Sequence, residues 1–141
     1  MKFLLVFLTF FLAKSCNNEL NQEMKKATIE YQAVSRGYYL NIAVANEKLA
    51  ITRKRDDLAK DYTLTDKDWK ELADLYKFVK LEEIPTYKGP TEKRFYDGAA
   101  IATFRITYDG KTYESQGFDH GNPPVEIAGI VNKLVSFVTE E

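Results

Sequence analysis

Tyr38, Leu40, Ile42 and Val44 alternate with Tyr39, Asn41, Ala43 and Ala45, and this period of two constrains the fold more than any other feature. Successive side chains of a strand point to opposite faces, so such a run buries one face and leaves the other toward water. The pattern recurs where Ala100, Ala102, Phe104, Ile106 and Tyr108 alternate with Ile101, Thr103, Arg105 and Thr107. Residues 28 to 34 predict an earlier strand, with Ile29, Tyr31 and Ala33 on one face and a break at Arg36-Gly37. Leu49, Ile51 and Arg53 continue as a third strand after a turn at Asn46-Glu47. Short links between such strands make an antiparallel meander. Asp109-Gly110 signals a two-residue hairpin because glycine accepts positive φ, and Lys111 to Gly117 reads as the last strand.

Two segments change to helical spacing. Thr65-Asp66-Lys67-Asp68 approximates a capping box, and Trp69, Leu72, Leu75 or Tyr76, and Val79 follow on one face, fading between Phe78 and Leu81. Pro85, Gly89 and Pro90 mark residues 82 to 97 as a polar loop. Asn122-Pro123-Pro124 reads as a second helix start, with Asn as cap and Pro at the first helical position. Ile127, Ile130 or Val131, Leu134 and Val138 supply its apolar stripe. The order is β-β-β-α-β-β-α. It predicts an α+β fold, with an antiparallel sheet of about five strands and both helices on one face. Residues 27–141 form this single domain. Nine Tyr and nine Phe agree with a sheet-rich core rather than a disordered chain.

Upstream, Met1-Lys2 gives a positive start, and Phe3 to Ala13 is an apolar stretch. It is too short to cross a bilayer as a helix, which takes roughly 20 residues, and it fits the apolar region of a secretory signal. Residues 1–15 are therefore read as a signal peptide and 16–26 as a polar tether rather than a helix. Cys16 is the single cysteine, so no internal disulfide is available.

Small Ser15 directly before Cys16, after the apolar stretch, resembles the lipobox of bacterial lipoproteins. Lys14 and the placing of Leu12 depart from the common pattern. With its small α+β domain, the chain resembles small Gram-negative lipoproteins of unknown function. That resemblance implies cleavage before Cys16, with a diacylglycerol thioether and an N-acyl chain, such as palmitate, on that residue. It also implies attachment to the outer membrane, on its periplasmic face or at the surface, because Asn17 is not the aspartate that retains such proteins at the inner membrane. The competing reading is an ordinary secretory signal that leaves an incidental thiol.

The net charge of −1 offers no basic excess, which excludes nucleic acid as an expected partner. Arg53-Lys54-Arg55 is followed at once by Asp56 and Asp57 and reads as a solvated strand end. His120 is the sole histidine, and Asp119 beside it is the residue to orient its imidazole or share a cation. Zinc needs three or four good ligands, and a lone His with a lipidated Cys does not supply them. No metal and no other cofactor is expected. Glu82, Glu83, Asp97 and Asp119 are scattered over loops, and acid/base work would need two of them to converge.

Tyr87, Phe95 and Tyr96 stand out because loop aromatics offer large contact area at low entropic cost. Tyr38 and Tyr39 add to that surface only if the fold brings them together. The expectation is an envelope-anchored, non-enzymatic binding module, inhibitor-like in one version, for an envelope protein partner. Tyr87, Phe95, Tyr96 and His120 are its binding residues, and the membrane is reached through lipid on Cys16. The alternatives are an envelope hydrolase using Asp119 and His120 or loop carboxylates, and a structural component of an envelope assembly.

Overall fold

The computed structural model describes residues 19–139. The segment 1–15 expected to be a signal peptide and the expected lipidation site Cys16 lie outside the described residues. Residues 19–25 are helical (α1). There follow β1 (Ala27–Ser35), β2 (Tyr38–Ala45), β3 (Lys48–Thr52), β4 (Lys60–Thr63) and α2 (Asp66–Tyr76). The second half holds β5 (Ile101–Tyr108), β6 (Lys111–Glu114), β7 (Phe118–Asp119) and α3 (Ala128–Thr139). Three 3₁₀ turns, Leu81–Thr86, Lys93–Tyr96 and Val125–Ile127, lie between them.

The result is an α+β domain built on a seven-stranded antiparallel sheet ordered β4-β3-β2-β1-β5-β6, with β7 pairing β5. The alternating faces are those the sequence predicts. Ile29, Tyr31, Ala33, Leu40, Ile42, Val44, Leu49, Ile51, Ala102, Phe104 and Ile106 are buried under the helices. Burying a side chain of this size contributes roughly 1.5–3 kcal/mol. The other face carries Thr28, Glu30, Gln32, Asn41, Thr103, Arg105 and Thr107, all partly exposed.

The two-residue turns after β2 and β5 follow from backbone chirality. Asn46 and Glu47 have φ of 50° and 67°, and Asp109 and Gly110 have 50° and 77°. Two left-handed central residues match the twist of the flanking strands; Asn46, Asp109 and Gly110 are of types that tolerate this backbone, whereas Glu47 is held in it by the hairpin. The α2 start also stands: the Thr65 side chain accepts the Asp68 N–H at 3.1 Å, and Trp69, Leu72, Ala73 and Tyr76 are buried. Lys133 of α3 reaches Asp68 at 2.8 Å and Glu71 at 2.7 Å, joining the two helices.

Several expectations are corrected. The sheet has seven strands, not about five. The sequence of β4, Lys-Asp-Tyr-Thr, carries no apolar alternation because an edge strand buries almost nothing. The strand expected over 111–117 divides at Ser115. There the side-chain oxygen takes the Phe104 N–H at 2.9 Å in place of a ladder bond, and the chain resumes as β7. The tether expected over 16–26 is helical from residue 19, since Leu20 and Met24, one turn apart, reach the core and Met24 is fully buried. Asn122 caps nothing. Pro124 occupies the cap position of the turn Val125–Ile127 without a side-chain hydrogen bond, and α3 starts at Ala128.

The antiparallel register defines two ends. At the lower end lie α1, Ala27 and the turns at 46–47 and 109–110. At the upper end lie Arg36-Gly37, residues 53–59, the start of β5, and β7.

Candidate functional site

The upper end is organised by three consecutive residues of β7 and its exit. Phe118 pairs with Ala102 and points into the core, whereas Asp119 pairs with Ile101 and points the other way. His120 returns to the side of Phe118. The period of two therefore sends the adjacent Asp119 and His120 to opposite faces, and the expected dyad does not form.

Asp119 is fully buried and holds the loop that crosses it. It accepts from Thr91 Oγ1 at 2.6 Å, the Lys93 N–H at 2.7 Å, the Arg94 N–H at 2.9 Å and Arg94 Nη1 at 3.2 Å. Burial alone would raise its pKa. The hydrogen bonds from Thr91, the two backbone N–H groups and the guanidinium outweigh burial and hold the carboxyl at about 2. These four donors engage both oxygens, so Asp119 is an anchor rather than an acid or base. Gly89 contributes to the same docking, because a Cβ there would lie 2.7 Å from Cβ of Phe118.

The anchored turn Lys93–Tyr96 presents Phe95 and Tyr96 to solvent, 71% and 73% exposed. The Arg94 guanidinium lies 4.4 Å from the Phe95 ring centroid and also donates to the Thr91 carbonyl at 2.9 Å. Asp97, at φ 59°, ends the turn, and the Gly98 N–H closes it onto the Lys93 carbonyl at 2.7 Å. Tyr87 does not belong to this surface. It is buried in the core, with its hydroxyl donating to Glu83 at 3.4 Å, and burial pushes its pKa up. Its position was unreadable from composition, since all three aromatics share one polar segment.

His120 is half-buried between two tyrosines. Nδ1 lies 2.5 Å from the Tyr31 hydroxyl and Nε2 lies 3.4 Å from the Tyr38 hydroxyl. The ring centroids are 5.8 Å and 5.5 Å from His120, and Phe118 closes the cluster 6.2 Å from Tyr31. Burial, then the nearby Tyr38, raises the Tyr31 phenol far above its ordinary range, and burial lowers His120. A buried phenol that stays protonated needs an acceptor, so Tyr31 donates to Nδ1. The imidazole hydrogen then sits on Nε2 and faces Tyr38.

Both ring nitrogens thus face phenols. Tyr31 reads in sequence as one more core residue, and nothing local marks its link to a histidine 89 positions away. The carboxylates Glu82, Glu83 and Asp97 do not converge with either group. Among the described residues, no group of three or more His, Cys, Asp or Glu side chains is placed to hold a metal ion. No helix among them is long and apolar enough to cross a membrane. No family model matches the chain, and neither the curated proteins nor the solved structures contain a similar one.

Proposed function

We propose that this protein is an exported, lipid-anchored, non-enzymatic interaction module that engages an envelope protein through the upper end of its sheet. One observation carries the reading: two large aromatics, Phe95 and Tyr96, stand in solvent on a turn fixed by four hydrogen bonds to a buried carboxylate. Exposed aromatics on an ordered scaffold lose little entropy on binding, which is the property of an interface anchor. Tyr38 and Ile101, 41% and 52% exposed, lie at the same end of the sheet.

The topology supports the anchoring part of the proposal. A chain held at Cys16 enters through α1 at the lower end. The nine residues of β1 then carry the upper end about 30 Å from that entry. The lipid and the aromatic turn would occupy opposite ends of the domain.

Photocrosslinking tests this directly. A benzophenone side chain placed at Tyr96 in cells is expected to give a discrete protein adduct that disappears when Phe95→Ala is added. The same group at the exposed Lys25, on α1, is expected to give none. Equal adducts at both positions, or none at Tyr96, would refute the interaction module. Mass spectrometry of the mature amino terminus tests the anchor, because a thioether-linked diacylglycerol on Cys16 is required.

A further inference from the structure

The two edges of the sheet differ in cover. At one edge, the turn Leu81–Thr86 lies against β6, where Tyr113 donates to Glu82 at 3.3 Å and Gln116 donates to the Pro85 carbonyl at 3.1 Å. At the other edge, β4 bonds β3 on one side, and among the described residues no strand lies on its outer side. Residues 53 to 61 are all exposed, and Leu58, just before the strand, is 95% exposed. Such an edge presents a row of unpaired backbone N–H and C=O groups, which another extended backbone matches in register.

Side chains add to this backbone row. Tyr62 stands opposite Leu49 and Lys60 opposite Ile51, so both share the face that carries the helices. On that face two hollows adjoin the Tyr62 side chain. The one toward the lower end, about 350 Å³, is lined chiefly by Leu49, Ile51, Tyr62, Leu64 and Phe137. Asp68 borders it too, with its carboxylate held by Lys133 at 2.8 Å. The one toward the upper end, about 210 Å³, is lined by Ile51, Arg53, Asp57, Leu58, Lys60 and Tyr62. The Tyr62 hydroxyl is buried and has no hydrogen-bond partner. A strand added at this edge would send alternate side chains toward these hollows. Asp61 stands opposite Ala50 on the other face, and it is exposed.

Charge decides which strand fits. Two copies of β4 paired about a two-fold axis set one residue opposite itself. Centring on Lys60 or on Asp61 puts like charges face to face, and centring on Tyr62 pairs only residues 61–63 of the strand. A foreign strand with a basic residue opposite Asp61 meets neither obstacle.

We infer that the outer edge of β4 takes an extended segment of another protein as an added strand, with apolar residues toward the two hollows and a basic residue opposite Asp61. Main-chain bonds then hold the segment, and the alternate side chains select it. Lys60 and Asp61 guard the edge against indiscriminate pairing, so the charge on the incoming strand matters. The edge lies four strand spacings from β5, roughly 19 Å, and the site stands whether or not Phe95 and Tyr96 bind a protein.

The full chain, labelled with ¹⁵N in uncharged detergent micelles, would be titrated with the end-capped peptide Val-Lys-Val-Lys-Val. As a strand it sets valine on one face and lysine on the other. Saturable shifts are expected at the amides of Lys60, Asp61, Tyr62 and Thr63. The peptide Val-Glu-Val-Glu-Val is expected to bind about fivefold more weakly, the size of one cross-strand charge pair. Asp61→Lys, at an exposed position, is expected to invert that preference, which a misfolded variant cannot do. The lysine peptide N-methylated at every residue has no ladder donors and is expected not to bind. No saturable shift at β4, equal binding of the two charged peptides, or an unchanged preference in Asp61→Lys would overturn the proposal. Concentration-dependent shifts at the same amides without peptide would also overturn it, because they identify a second copy as the occupant.

Discussion

The two ends of the sheet reach order by different means. At the lower end, order is largely local: Asn46-Glu47 and Asp109-Gly110 form the left-handed pairs, and Thr65 caps the helix that begins beside them. At the upper end, order comes from polar side chains buried far from their partners in sequence. Asp119 fixes residues 91–94, and Tyr31 fixes His120. Locally specified turns need no more than hairpin chemistry. The upper end exposes Phe95, Tyr96 and Ile101, and holding apolar groups in water requires anchoring from below. The buried polar groups at the upper end are framework, and they hold Phe95 and Tyr96 in solvent.

Substitution at Asp119 should break the upper end most severely. Asp119→Ala removes the acceptor of four hydrogen bonds and leaves a guanidinium and two N–H groups without it. The expected loss is about 3 kcal/mol in urea unfolding. A loss under about 1 kcal/mol would show that the 91–97 loop orders itself. The pH dependence carries the same information. The folded carboxyl sits at about 2, below the ~3.9 of an unfolded chain, so its stabilisation is complete above pH ~4. It is lost as pH falls from there through about 2, and the Ala variant should lack this acid limb.

Next in size, Tyr31→Phe keeps the ring and removes the donor to His120, at an expected cost of about 1–2 kcal/mol. Burial places the folded His120 below its ordinary 6.5, so the folded state resists taking up a proton. Stability should therefore decline as pH falls below 6.5 toward the folded value, and His120→Gln should abolish that decline. An unchanged profile would mean that the imidazole is solvated and orders nothing.

The lower end answers to a smaller, purely local change. Gly110→Ala meets no neighbouring atom, so its cost is the left-handed conformation alone, about 1 kcal/mol in thermal unfolding. A much larger loss would reveal a tertiary role for this turn. The smallest effect belongs to Phe95→Ala with Tyr96→Ala, which should change stability by no more than about 0.5 kcal/mol because both rings already face water. A large loss there would make the aromatics structural and count against a binding role.

Much of the fold is legible in the residues because its causes are local. The alternation in β1, β2, β3 and β5, the Asp109-Gly110 hairpin and the Thr65 cap each depend on neighbours within a few positions. Edge strand β4 escapes such a reading because burial, which writes the alternation, is missing there. Strand β7 escapes it because two residues carry no period. The stop-start of Asn122-Pro123-Pro124 imitates a helix cap, while the chain needs only a turn before α3.

The candidate site is legible in part. His120 and the loop aromatics are visible by type, but their roles depend on contacts across 25 to 89 positions. By itself, the sequence determined an antiparallel sheet covered on one face by helices, since period and turn chemistry act over short range. The tertiary structure decided that Tyr87 turns inward while Phe95 and Tyr96 remain outside. It also sent Asp119 and His120 to opposite faces, because burial and long-range hydrogen bonds exist only once β7 has docked against β5.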